Sequence, residues 1–546
     1  MIEWIKFNKP QRYLDNEWNV IKKKAKIRVC LCFPDLYEVG MSNLGFRIIY
    51  HLFNEIEGIS CERAFMPYFD LLTHLERKRI KLFSLETKTP LDKFEVLGFN
   101  LNYELNFTNF LTMLDLSGIS LFSSQRKRII VIGGGIANPE PLAQFVDIFF
   151  LGEFEEKIYS FTEVLKKYKN KEDRLKALSE IEGFYVPSFY REENSSLKKI
   201  YNFASYPLKK VYVKDLNSSY YPLRWLTPYT SIVHDRAYVE VARGCPHHCF
   251  FCQARAFYSP YREKKIEVVL KQLEEIYKFS GYENFSFLSL SLSDYSCIEE
   301  LIDIALDFFK RKKINFSLPS LRVDDIVERL HHKLIRLEKI SLTLAIEAGT
   351  SHLRRKINKR IDWKKFWEAK EILKTLPLKH IKFYFMFGLP YEEEEDLAAI
   401  PHLVESIFEE LRKKLHVSIN VFVPKPFSYF QNKPMEKEEN LLKKKKLLLN
   451  LFKNKRYLKV SLSSIKRSIL EAILSRGDRE LSSVIYRAYL WGAKFDSYRE
   501  FFNWERWEKA FEEEKIDYRK YLEGRGPFWW RHIIWDEGLS FKGSFK

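Results

Sequence analysis

Two series of short apolar runs, each separated by stretches of helical spacing, constrain this chain more than any other feature. The first series stands at 27–34, 59–65, 94–101, 128–134 and 146–152, with "LGFRIIYHLFNE", "FDLLTHLERKR" and "NFTNFLTMLDLSG" between the runs. Near-continuous apolar strands alternating with helices predict an α/β fold with a parallel, doubly wound sheet. Five strands suit a flavodoxin-like (Rossmann-type) order, with ligands at the carboxyl ends of the strands. The second series stands at 237–244, 285–291, 314–320, 341–349, 380–388 and 416–424. Six successive βα units fit either an open sheet or a partial (βα)6 TIM-like barrel, whose sites also gather at the strand C-termini.

The remaining segments divide the chain. Residues 166–225 are polar and weakly periodic and read as a connector, with a hairpin expected around "GFYVPSFY". After "VPKPFSYFQ" the pattern turns helical, beginning with the basic segment "MEKEENLLKKKKLLLNLFKNKRYLK". The expected units are therefore 1–165, 166–225, 226–435 and a small helical C-terminal region, 436–546. A length of 546 residues exceeds one ordinary core and agrees with several domains. No stretch approaches the ~20 apolar residues of a membrane span, and the N-terminus has no apolar run behind its charges. A soluble cytoplasmic protein with no membrane partner is expected. Lys and Arg exceed Asp and Glu by 91 − 73 = 18. That excess fits a polyanionic partner such as RNA or a ribonucleoprotein, and equally a thermophile-like surface of solvated charges.

Three of the seven cysteines fall in "ARGCPHHCFFCQAR", as Cys245-x3-Cys249-x2-Cys252. Cys30, Cys32, Cys61 and Cys297 are scattered, so the pattern is neither a disulfide framework nor a second cluster. Zinc would need His247 or His248 as its fourth ligand, bent back inside a very short loop, and no second ligand pair follows. A cubane on three thiolates instead leaves one iron open to a small molecule.

The spacing, the aromatic Phe251 before the last cysteine and the βα series behind it resemble the radical S-adenosylmethionine (SAM) superfamily. The resemblance implies a [4Fe-4S] cluster on Cys245, Cys249 and Cys252. SAM would fill the open position and be cleaved reductively to a 5′-deoxyadenosyl radical. It implies SAM contacts at further strand ends: Ser291, Ser293 and Asp294 in "SLSLSD", Arg322 in "SLPSLRVDD", Glu347 in "AIEAGT" and Gly388 in "FMFGLP". Bland roles stand beside these: Ser296 with Glu299 as a capping box, Arg322 with Glu347 as an ion pair, and Gly388-Leu389-Pro390 as a strand breaker. An external electron donor of flavodoxin or ferredoxin type is also implied.

"FPDLYEVGMSNLG", "CERAFMPYFDLL", "LAIEAGTSHLRRKIN" and "RGDRELSSVIYRAYLWGAKFDSY" extend the resemblance over nearly the whole chain. They are similar to a family that joins an N-terminal cobalamin-binding-like domain to a radical SAM core and a helical C-terminal extension. Where that domain type carries a cobalt-ligating histidine, this chain has Tyr37, and phenol is a poor cobalt ligand. Histidine-free cobalamin would lie over the strand ends near Gly40, Asn102, Tyr103 and Glu104, with Gly133 and Gly134 of "VIGGGIANPEP" giving close approach. A retained fold without cofactor is the alternative. The expected function is radical SAM catalysis, with cobalamin-assisted methylation of RNA or a ribosomal component as the specific form. The competing class is a noncatalytic RNA-binding module with a structural metal.

Overall fold

The computed structural model describes residues 3–535 except 195, 313, 319–320, 323–324, 337–339, 363, 366, 368–372, 456 and 527. The end of the expected strand 314–320 and the last residues of the C-terminal region lie outside the described residues.

The first series forms one sheet: β1 (Ile27–Phe33), β2 (Ile59–Phe65), β3 (Val96–Asn100), β4 (Ile130–Gly134), β5 (Ile148–Phe150) and β6 (Phe184–Tyr185). Its order is β2-β1-β3-β4-β5-β6, parallel throughout except for the antiparallel β5–β6 pair. The five parallel strands have the flavodoxin-like order. Both faces of β1 are covered: Val29 and Phe33 join one core, Cys30 and Cys32 the other. That double burial is why the strands read as unbroken apolar runs.

The sheet continues past residue 165, because "GFY" supplies β6 rather than opening a hairpin. The hairpin comes next, as β7 (Tyr190–Glu193) and β8 (Ser196–Lys199), followed by β9 (Leu208–Lys209).

The second series gives β10 (Ala237–Glu240), a small ribbon of β11 (Ala242–Arg243) and β12 (Arg262–Glu263), then β13 (Asn284–Leu288), β14 (Asn315–Ser317), β15 (Ile340–Glu347), β16 (Leu378–Phe387) and β17 (Lys414–Val421). Among the described residues these strands pair as two parallel arcs, β10-β13-β14 and β15-β16-β17-β18, which build the TIM-like unit. The added strand β18 (Leu458–Leu462) comes from a segment expected to be helical. Its alternation Leu458, Val460, Leu462 is a strand signal, but the lysine-rich helix Glu438–Leu451 just before it dominates the local pattern.

Helices Ile465–Arg476, Leu481–Leu490 and Trp504–Glu513 follow, and β19 (Ile533–Ile534) returns to pair with β9. One continuous apolar core joins a face of the first sheet, the second arc and these C-terminal helices, through residues such as Phe110, Phe385, Ile473 and Trp507. No helix among the described residues is long and apolar enough to cross a membrane.

Candidate active site

The cysteine loop leaves β11 and returns at β12, so antiparallel pairing pinches its two ends together. Gly244 opens the loop at φ +91°, and a Cβ there would stand 2.8 Å from the carbonyl oxygens of Tyr258 and Pro260. The interior of the loop is held from outside. The Phe250 amide donates to Ile357 O (3.0 Å), Asn358 Nδ2 to His248 O (2.7 Å) and the Phe430 amide to Phe250 O (3.0 Å). Segments behind β15 and β17 thus set the positions of Cys249 and Cys252.

All three site cysteines are half-buried. Burial pushes the Cys249 thiol up to about 11, with Lys359 opposing and Cys252 and Cys245 adding to the rise. Burial also raises Cys245, against a hydrogen bond from the His247 amide. The Cys245 and Cys249 thiols therefore resist ionisation until a cationic centre compensates them. His247 does not turn to the thiols: its Nε2 meets Asp294 Oδ2 at 2.7 Å.

Asp294 is the hub of the first predicted group of SAM contacts. Ser291 Oγ donates to Asp294 Oδ2 (2.5 Å), while Ser293 Oγ accepts from the Arg322 amide (2.7 Å). Arg322 Nη1 lies 3.1 Å from His247 Nε2, and Nη2 donates to Arg360 O (2.9 Å). Burial raises the Asp294 carboxyl, but hydrogen bonds from His247 and Ser291 and the Arg322 charge hold it below the usual range. Arg322, Cys249, His247, His248, Lys359 and Arg360 line one cavity of about 260 Å³.

Glu347 sits at φ +71°, a left-handed backbone rare outside glycine and costly by about 1–3 kcal/mol. Its carboxyl is raised by burial and faces Lys359 at 4.0 Å. Arg322 meets His247, Arg360 and, at 3.9 Å, Asp325, while Glu347 meets Lys359. The capping box is replaced as well: Ser296 Oγ donates to Glu263 (2.5 Å), and Glu299 accepts from Arg329 (3.1 Å). Gly388 takes φ +75°, and a Cβ there would lie 2.6 Å from Leu441. Its amide donates to Glu392 Oε1 (2.9 Å), and Lys444 pairs with Glu392 at 2.8 Å.

A second cavity, about 490 Å³, lies along the first sheet and opens at the carboxyl ends of its strands. Of the six residues expected near cobalamin, Asn102, Gly133 and Gly134 line it. The other three are engaged elsewhere. Gly40 packs under Phe65 and Phe33. Tyr103 Oη donates to Glu471 (3.4 Å), and Glu104 accepts from Lys425 (2.8 Å), which also pairs with Glu471 at 2.9 Å. Tyr37 is buried and donates to Glu17, away from the cavity.

Gly98, Glu153 and Arg243 line the cavity and escaped sequence reasoning. Gly98 carried a signal, since a glycine inside an apolar strand marks close approach. Glu153 and Arg243 carried none, because their link is tertiary. Glu153 binds Arg262 in a fork (2.9 and 2.9 Å), and Arg243 Nη1 meets Glu153 at 3.0 Å. Arg243 also pairs with Glu155 (3.0 Å) and Glu240 (2.9 Å). This cluster ties the cavity rim to the root of the cysteine loop, two residues before Cys245.

Residues 239–404 match the model of the radical SAM superfamily, and residues 45–187 match that of the N-terminal region of radical SAM proteins. The chain belongs to the radical SAM superfamily. Its enzyme class follows from that membership. A relative of this radical SAM chain is the uncharacterized protein MJ0966 of Methanocaldococcus jannaschii, 29% identical over 78% of this chain and 88% of that protein. A second is the ribosomal protein uS12 methylthiotransferase RimO of Thermoanaerobacter sp., 25% identical over 32% of this chain and 42% of that protein. Among solved structures, the radical SAM methyltransferase TsrM of Kitasatospora setae, with cobalamin and a [4Fe-4S] cluster bound, superposes with TM-score 0.50. It shares 11% identity, with 74% of each chain covered, and so speaks for the fold.

Proposed function

We propose that this radical SAM enzyme carries a [4Fe-4S] cluster on Cys245, Cys249 and Cys252 and binds cobalamin in the cavity of the first sheet. Its reaction on this reading is methylation of RNA or a ribosomal component. The observation that carries it is the 490 Å³ cavity, whose rim includes Arg243 and Gly244, the residues leading directly into Cys245. A cofactor seated there stands beside the cluster loop.

The cavity lining suits cobalamin, while the cluster reading rests on the cysteine spacing, since among the described residues no three candidate ligands are gathered closely enough to hold a metal ion. The cavity floor is apolar, with Val29, Leu31, Val96 and Ile132, and Gly134 has nothing within 4 Å of where a Cβ would be. Such a slot accepts a flat, largely apolar ligand portion and excludes water. With Tyr37 bound to Glu17, the protein offers cobalt no histidine from this loop. When bound, the cluster supplies an electron for SAM cleavage and cobalamin a transferable methyl group. The chain's own side chains hold and orient: Arg322 and Lys359 offer positive charge to a carboxylate in the 260 Å³ cavity, and Asp294, joined to that cavity through His247, would accept from an ammonium. The TsrM structure carries both cofactors, and the RimO relative is named for a ribosomal protein target; both favour this reading. The charge excess of 18 favours a polyanionic substrate.

Anaerobic reconstitution with iron, sulfide and hydroxocobalamin tests it. The expected outcome is a cubane spectrum, retained corrin absorbance, and 5′-deoxyadenosine from SAM and reductant. Cys249→Ala is expected to abolish SAM cleavage; normal turnover in that variant would overturn the radical reading. Folded protein that cleaves SAM yet retains no corrin would remove cobalamin alone.

A further inference from the structure

The connector between the two α/β units plays no part in the reaction above, yet its surface has a composition of its own. Residues 196–214 contain five lysines and no carboxylate. Lys198, Lys199, Lys209 and Lys214 are exposed, and between them Tyr201, Tyr206 and Tyr212 are 46%, 49% and 36% open to solvent. Tyrosine rings this open seldom serve a core.

Tyr201 is also packed on one side. Its ring lies parallel to that of Phe203 (5.1 Å, 10°), and Phe189 meets both edge-on at 5.4 and 5.3 Å. The nearest acidic side chain on the hairpin, Glu193, pairs with Lys198 at 2.8 Å and Arg191 at 3.1 Å, so the local balance stays positive.

The other end of the segment reaches the candidate active site. Lys210 Nζ donates to the carbonyls of Ala256 (3.0 Å) and Ser259 (2.6 Å), just beyond Cys252. The Tyr212 ring lies beneath Arg262 at 5.4 Å, and Arg262 grips Glu153 on the cavity rim.

Lysines neutralise phosphates without reading sequence, and open aromatic faces stack on unpaired bases. An acidic protein partner would use the lysines but not the exposed edges and free sides of these tyrosine rings. We propose that the 196–214 surface is a binding track for single-stranded RNA, leading an unstacked nucleotide toward the cavity mouth. The inference rests on the RNA arm of the reading above.

The test uses full-length reconstituted enzyme and a fluorescent single-stranded RNA of about 16 nucleotides. Anisotropy titrations run between about 50 and 200 mM salt. K198E/K199E/K209E is expected to bind at least about tenfold more weakly, with the log–log salt slope shallower by about 2. Y201A/Y206A/Y212A is expected to lose about tenfold while keeping the wild-type slope. Melting temperature and SAM cleavage without substrate should match wild type in the lysine variant, which guards against a folding defect. If wild type binds RNA and both variants bind equally well, the track is wrong and the RNA reading stands. If wild type cleaves SAM but binds no RNA, or captures a ribosomal protein instead, both the track and the RNA arm fall.

Discussion

His247 joins the cysteine loop to the second strand end, where sequence reasoning had given it little to do. Its ring meets Asp294 at 2.7 Å and Arg322 at 3.1 Å. Both groups are partly exposed, so the contact is worth about 1 kcal/mol after solvent screening. His247→Ala is expected to weaken SAM binding by roughly fivefold to tenfold, read by equilibrium dialysis on reconstituted enzyme. His247→Gln, which can still donate to Asp294, should recover most of it; equal binding in all three proteins would sink the idea.

Asp496 makes a prediction about pH. It is buried, accepts from Thr108 Oγ1 at 3.1 Å, and burial lifts its carboxyl to about 7. The folded state thus binds a proton that the unfolded state has released by about pH 4. Stability from this group is present below the unfolded pKa and falls as pH rises to about 7. Asp496→Asn should remove that slope and raise the melting temperature at about pH 8, an effect of up to a few kcal/mol. An unchanged stability profile would count against it.

At the level of elements, strand positions were legible because the signal is local. In β16 the residues Ile381, Phe383, Phe385 and Phe387 are all fully buried, each separated by one more open neighbour. Such alternation is written in the order of the residues. The turn after β16 was legible only in part. Gly388 is needed for its φ of +75° and for the closeness of Leu441, but Glu392 and Lys444, which brace it, belong to different elements. Glu392 is almost wholly buried, so removing its partner strands a charge. Lys444→Met is expected to cost about 3 kcal/mol and to weaken SAM binding, seen by thermal melts and by titration. A melt identical to wild type would mean that the turn holds without its brace.

Across the whole molecule, the C-terminal region is a clamp rather than an appendage. Arg479 donates to Glu140 (2.7 Å), to Tyr185 Oη (2.7 Å) and to the Pro187 carbonyl, while Asn138 Nδ2 donates to Gly477 O (2.8 Å). The motifs "NPEP" and "RGDRE", far apart in sequence, are two halves of one contact. Glu140 is fully buried, so Arg479→Ala should cost about 3–5 kcal/mol. Because the core runs from the first sheet through the barrel to these helices, calorimetry should give one unfolding transition. Two separated transitions in the wild type would show that the units fold independently.

The sequence by itself determined the two α/β series, the cysteine triplet and its spacing, and the family. Each depends on periodicity or on spacing within one loop, and neighbouring residues suffice to express these. Only the tertiary structure decided that β18 completes an arc, and that Glu153 and Arg243 bind the cavity to the cysteine loop. It also decided that His247 serves Asp294, and that Tyr103 and Glu104 face Glu471 and Lys425. Those pairings join side chains tens to hundreds of residues apart, and their energy exists only once burial has lowered the dielectric around them and removed competing water.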